Sequence, residues 1–172
     1  RGANVNAADN DGCTALWMAS QNGNLELATL LSERGAHINI SGEDGHTPLI
    51  CASQNGYFEI VTLLLDKGAD INSADANGCT SLHLASEGKQ ESVVELLLFR
   101  DANPNIVDND GDSPLHRAVV GGNINIVKMI ADKTLNINSV NRKSNSPLDI
   151  AQEKALKEEA YNEIVKLLKS YD

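Results

Sequence analysis

Along the chain, apolar and polar positions fall into two helical patterns joined by short polar stretches. Leu27, Leu30 and Leu31, and again Ile60, Leu63 and Leu64, stand at the i, i+3, i+4 spacing of a helix with one buried face. Ahead of each such segment, and again at the end of the chain, lies a shorter one whose apolar pair is a Leu and an Ala: Leu16 and Ala19, Leu49 and Ala52, Leu82 and Ala85, Leu115 and Ala118, Leu148 and Ala151. The small Ala lets a neighbouring helix approach closely. Thr or Ser at 14, 47, 80, 113 and 146 precedes each short segment and is a good N-cap, its hydroxyl able to accept from an orphan amide of the first turn. Pro48, Pro114 and Pro147 follow at the first helical position, where a missing N–H costs nothing. The short segment therefore predicts a helix of about eight residues. Gly23, Gly56 and Gly122 after the first helix, and Gly35 and Gly68 after the second, predict ends in the left-handed conformation that Gly adopts cheaply.

The pattern is copied. Gly12, Gly45, Gly78 and Gly111 recur at intervals of 33, and the Leu and Ala positions keep the same period. Around them the text reads G-C-T-A-L-W, G-H-T-P-L-I, G-C-T-S-L-H, G-D-S-P-L-H and S-N-S-P-L-D. Between the helical pairs, Asp and Asn at 9–11, 75–77 and 108–110 read as hairpin-like loops. This unit resembles the ankyrin repeat, a β-turn and two antiparallel helices with a T-P-L-H motif. The resemblance covers essentially all 172 residues. It implies an all-α fold, an ankyrin-repeat solenoid of stacked helix-turn-helix units with β-turn or hairpin loops, of about five repeats. The register places repeats at 10–42, 43–75, 76–108 and 109–141, and a divergent C-terminal capping repeat at 142–172. Residues 1–9 match the end of a preceding repeat, Gly2-Ala3-Asn4-Val5-Asn6 paralleling Gly68-Ala69-Asp70-Ile71-Asn72. A start in mid-repeat without Met is expected of a piece of a longer protein.

Departures from the repeat carry further expectations. Lys89 stands where other copies have Gly, and Gly88 just before it predicts a turn shifted by one residue. Asp101 and Thr134 replace the second capping Gly, which costs each helix end up to about 1 kcal/mol if φ stays positive. The last unit carries five extra residues between Ala151 and Ile164, in a Lys- and Glu-rich stretch, predicting a cap with longer helices and a polar outer face. His83 and His116 fall on the H of the motif, where the resemblance implies a hydrogen bond that knits adjacent loops. Trp17 occupies the same position. A ring of that size is not expected to imitate the imidazole bond, which leaves it as a gap filler or a contact surface.

Composition narrows the function. Aromatics are 3% of the residues and the net charge is −10, so there is neither a stacking platform nor a basic surface for nucleic acid. No apolar run reaches the roughly 18 residues of a bilayer span, and the opening Arg1-Gly2-Ala3-Asn4 has no signal-peptide stretch, so no direct membrane insertion is expected. Cys13, Cys51 and Cys79 have no zinc-type spacing and read as free thiols of a reducing, intracellular compartment, cytoplasmic or nuclear. Without a phosphate loop, an H-E-x-x-H or a G-x-S-x-G motif, no enzyme activity and no cofactor is expected.

In ankyrin proteins the variable, partner-facing positions are the hairpin tips and the exposed end of the first helix, which together form a concave groove. The resemblance thus implies a non-catalytic protein–protein interaction module; the alternative is a structural tether or targeting array within a larger protein. Carried over by register, the tip candidates are Asn10, Asp11, Glu43, Asp44, His46, Ala76, Asn77, Asn109, Asp110, Asp112, Arg142 and Lys143. The first-helix candidates include Trp17, Met18, Gln21, Asn22, Cys51, Gln54, Asn55, Leu84, Glu87, Arg117 and Val120. The first four tips hold eight acids (Asp9, Asp11, Glu43, Asp44, Asp75, Asp108, Asp110 and Asp112) and no Lys or Arg, whereas Arg142 and Lys143 invert the fifth. Asp9, Asp75 and Asp108 stand where the family uses Asp for turn geometry. The other five predict a protein partner with a basic segment, bound by a monomeric array. Asn39, Asn72 and Asn105 resemble loop asparagines that are hydroxylated in some ankyrin proteins.

Overall fold

The computed structural model describes residues 4–171; Gly2 and Ala3 of the expected preceding repeat lie outside the described residues. Ten helices are described: α1 Ala15–Gln21, α2 Leu25–Glu33, α3 Pro48–Asn55, α4 Phe58–Asp66, α5 Ser81–Glu87, α6 Glu91–Phe99, α7 Pro114–Gly121, α8 Ile124–Ala131, α9 Pro147–Ala155 and α10 Tyr161–Lys169. Odd-numbered helices stack on one another in one row, even-numbered helices in a second, and each odd helix packs on the even one that follows it. Among the described residues strand pairing is confined to single bridges, Ala8 with Thr14 and Ala74 with Thr80, so the fold is all-α. Among the described residues no helix is long and apolar enough to cross a membrane.

Local chemistry explains the short helices. Thr14, Thr47 and Ser146 accept from the amides of Trp17, Ile50 and Asp149 at their N-caps. Gly56 and Gly122 take the left-handed conformation at the ends of α3 and α7. Leu16, Leu49, Leu82, Leu115 and the five Ala of the same row are buried, and meet Ile60, Leu64, Val93, Leu97, Ile126 and Ile130 of the second row. Leu27 is 38% exposed, although its register counterpart Ile60 is 2% exposed, because among the described residues α2 has a row neighbour, α4, on one side only.

Three expectations change. The turn at Lys89 is not shifted: Lys89 itself is left-handed at φ 61°, and Gly88 is right-handed. Gly88 is glycine for a different reason. A Cβ there would lie 3.1 Å from the carbonyl oxygens of both Gln54 and Leu84, just as one on its counterpart Gly121 would lie 2.8 Å from the carbonyl of Ser86. Asp101 does keep a positive φ of 63°, but Thr134 does not. A β-branched residue resists that region, and α8 accordingly stops one residue before the register of α6 would end it. Leu135 is left 89% exposed, where Ala36 and Ala102 tuck in at the equivalent place.

The five extra residues of the last unit do not make long helices. α9 has nine residues against eight in α7, and α10 has the nine of α2. Most of the insertion is therefore the turn at 156–160. Side chains that cover the left-handed glycines fix the register: Tyr57 lies over Gly23, Gln90 over Gly56 and Tyr161 over Gly122, so the insertion ends just before Tyr161. α10 buries Tyr161, Ile164 and Leu168, and leaves Asn162, Glu163, Lys166 and Lys169 in solvent.

Candidate interaction groove

Each hairpin tip is built by one side chain. Asp9 Oδ1 accepts from the amides of Asp11 and Cys13 at 3.0 and 2.9 Å. Asp75 does the same for Asn77 and Cys79, Asp108 for Asp110 and Asp112, and Asn141 for Lys143 and Asn145. This is the turn geometry expected of Asp9, Asp75 and Asp108, an Asx side chain standing in for a backbone acceptor. The second tip has Gly42 at that position, and Asp44 Oδ1 takes the His46 amide instead, at 2.9 Å. Backbone bonds then tie tip to tip: Glu43 N–H to the Asp11 carbonyl, Ala76 to Asp44, Asn109 to Asn77 and Arg142 to Asp110, all at 2.8–3.0 Å. The five tips form one continuous row.

A second ladder runs beneath it. His83 Nδ1 accepts from the Thr80 amide at 3.1 Å, and Nε2 lies 3.1 Å from the carbonyl of Asp112 in the next tip. His116 repeats this with the Ser113 amide and the Asn145 carbonyl. An N–H on one side and a C=O on the other fix the neutral tautomer that carries its proton on Nε2. Burial lowers both imidazole pKa values below the ordinary 6.5. Trp17 overturns its expectation, for its Nε1–H donates to the His46 carbonyl at 2.8 Å, the same onward bond in the same register. The indole supplies the donor; what it lacks is the acceptor for the cap amide. Asp149 is the converse, accepting from the Ser146 amide with no onward donor.

A third ladder secures the opposite loops. Asn6, Asn39, Asn72 and Asn105 each accept, through Oδ1, an amide of the following unit: His37, Asp70, Asn103 and Leu135. The asparagines singled out in the sequence are thus engaged in holding neighbouring units together.

The groove candidates divide into two sets. Asn10, Asp11, Met18, Asn22, Glu43, Asp44, Gln54, Asn55, Ala76, Asn77, Asn109, Asp110, Arg142 and Lys143 are exposed. Trp17, Gln21, His46, Glu87, Asp112 and Arg117 are partly buried, and Cys51, expected on the exposed end of α3, is fully buried. Arg117 is an internal ligand: Nη2 and Nε donate to Asp108 Oδ2 at 2.5 and 3.0 Å, and Nη1 to Glu87 Oε2 at 3.2 Å. Burial opposes the Asp108 charge, but Arg117 and the turn amides outweigh it and hold the carboxyl below its ordinary range. Asp112 accepts from Asn141 Nδ2 at 2.7 Å, and His46 Nε2 lies 3.1 Å from Asp75 Oδ2. Sequence reasoning missed this double duty of Asp75 and Asp108. For Asp108 the available signal was the 33-residue register of Met18, Cys51, Leu84 and Arg117, in which one charged residue follows three uncharged ones.

Cys13, Cys51 and Cys79 are free thiols, and burial pushes those of Cys51 and Cys79 up to about 12. Among the described residues no three His, Cys, Asp or Glu are grouped to hold a metal ion. No curated protein matches the chain. The family model for ankyrin repeats matches in three overlapping copies, at residues 1–75, 41–108 and 82–172. Ankyrin repeats are generally protein–protein interaction modules and are typically non-catalytic. With that match spanning its whole length, and with helix pairs and tips stacked at the period of its sequence, the chain belongs to the ankyrin repeat family.

Proposed function

We propose that this array is a non-catalytic interaction module of an intracellular compartment, acting as a monomer and binding a protein partner with a basic segment. The partner lies along the groove formed by the tips and the odd-numbered helices. One observation carries the reading: Asp11, Glu43 and Asp110 are exposed carboxylates on a rigid row of tips, and they do nothing for their own turns. Asp44 adds a side chain that is 57% exposed. Surface charge of one sign on a fixed scaffold raises the association rate of an oppositely charged partner and selects against others. Residues 142–172 close the array in this reading, and the polar outer face of α10 supports that role.

Because Asp44 also holds the His46 amide, amide substitutions isolate the charge. The double variant Glu43→Gln/Asp44→Asn is expected to weaken binding of a captured basic partner several-fold and to leave the melting temperature nearly unchanged. Wild-type affinity should fall as salt shortens the screening length below about 10 Å. A salt-insensitive complex, or one indifferent to the double variant, contradicts the proposal.

A further inference from the structure

Asp75 and Asp108 are the same residue one repeat apart, with side chains only 2% and 1% exposed. Both spend Oδ1 on turn amides. Their Oδ2 atoms differ. Asp108 Oδ2 receives the Arg117 guanidinium, whose other edge reaches Glu87, with the Cys79 thiol 3.7 Å away. Asp75 Oδ2 receives His46 Nε2, the counterpart of Cys79, but the counterpart of Arg117 is Leu84 and that of Glu87 is Gln54. In front of Asp75 lies an open, polar concavity of about 390 Å³, bordered by His46, Gln54, Leu84 and Arg117.

We propose that this concavity seats one arginine side chain of the partner. Its guanidinium donates to Asp75 Oδ2 as Arg117 does to Asp108, Gln54 Oε1 stands in for Glu87 as the second acceptor, and the aliphatic stem lies on Leu84. The molecule thus carries its own template one repeat away. Arg117 does not repel such a group, because its guanidinium is paired with three carboxylates (Glu87, Asp108 and Asp112) and two more, Asp75 and Asp110, line the same concavity and leave the local field negative. Two separate acceptors suit the several donors of a planar, forked guanidinium better than the point charge of an ammonium. The assignment deepens the groove reading and rests on it for the identity of the ligand as a protein side chain.

The test is a titration of the ¹⁵N-labelled protein with N-acetyl-arginine amide, and separately with N-acetyl-lysine amide, followed by amide chemical shifts. The arginine derivative is expected to give saturable shifts at Asn77, Cys79 and Leu84, with binding at least about threefold tighter than the lysine derivative. Leu84→Arg supplies the guanidinium from within and should weaken the added probe about tenfold or more. Gln54→Ala, on an exposed side chain, should weaken it several-fold and decides the matter if Leu84→Arg does not fold. No saturable shift, equal binding of lysine, or binding unchanged in Gln54→Ala or in a folded Leu84→Arg overturns the seat. If Glu43→Gln/Asp44→Asn abolishes binding of a basic protein while the probe leaves these amides still, the seat falls and the groove reading stands; shifts here with no basic protein engaging the tips give the reverse.

Discussion

The imidazoles of His83 and His116 do their work only with Nδ1 bare, since that atom accepts the cap amide. Protonating it would set two donors against each other inside the stack. Their folded-state pKa values lie below 6.5, so the unfolded chain binds these protons first as pH falls. Stability is therefore complete above about pH 6.5 and declines below it, by at most about 1.4 kcal/mol per pH unit for each histidine. Urea unfolding at pH 7.5 and 5.5 should show a lower midpoint at 5.5; equal midpoints would contradict the neutral ladder. Asp108, held down by Arg117, contributes in the same direction only below its ordinary 3.8. The role of His83 and His116 was legible from the motif, but that of Trp17 was not. Comparing rings by size hides that the onward bond needs only an N–H at the right reach, which the indole has.

At the level of helices and turns, what is local was readable and what depends on a neighbour was not. Caps at Thr14 and Thr47 and prolines at N1 report on their own first turn. Gly88 reports instead on two carbonyl oxygens: that of Leu84, one turn back in its own helix, and that of Gln54, which comes close only once the units stack. The five-residue insertion was visible as a length but not as a turn, because only Tyr161 reaching Gly122 shows where the helix resumes. The two readings of the α5 end are separable. Lys89→Gly should stabilise by up to about 1 kcal/mol, the left-handed backbone no longer carrying a Cβ and the gain partly offset by unfolded-state entropy. Gly88→Ala should destabilise by about 2 kcal/mol through crowding of those carbonyls. Urea midpoints for both variants check this, and the opposite order would restore the shifted turn.

Over the whole molecule, among the described residues, each unit packs chiefly on its neighbours; the backbone bonds of the tips and the Asn bonds run from unit to unit, while the Trp and His ladder is interrupted at Ile50. The net charge of −10 takes on a shape from this arrangement. Asp9, Asp75 and Asp108 belong to the turns and Asp112 to Asn141, while Asp11, Glu43, Asp44 and Asp110 face solvent along one edge. Register alone located these tips, but only the hydrogen bonds separate the acids that build the groove from those free to use it. They also give Arg117 a part in the scaffold. The central claim is that this edge recognises a basic protein segment. Its most direct test is selection of peptides from an unbiased displayed library on the array, with the footprint of the winners mapped by amide chemical shifts. Enrichment of arginine- and lysine-bearing peptides that shift tip residues 43–46 and 76–79 is the expected result; winners without basic residues, or a footprint on the outer faces of α2, α4 and α6, would contradict it.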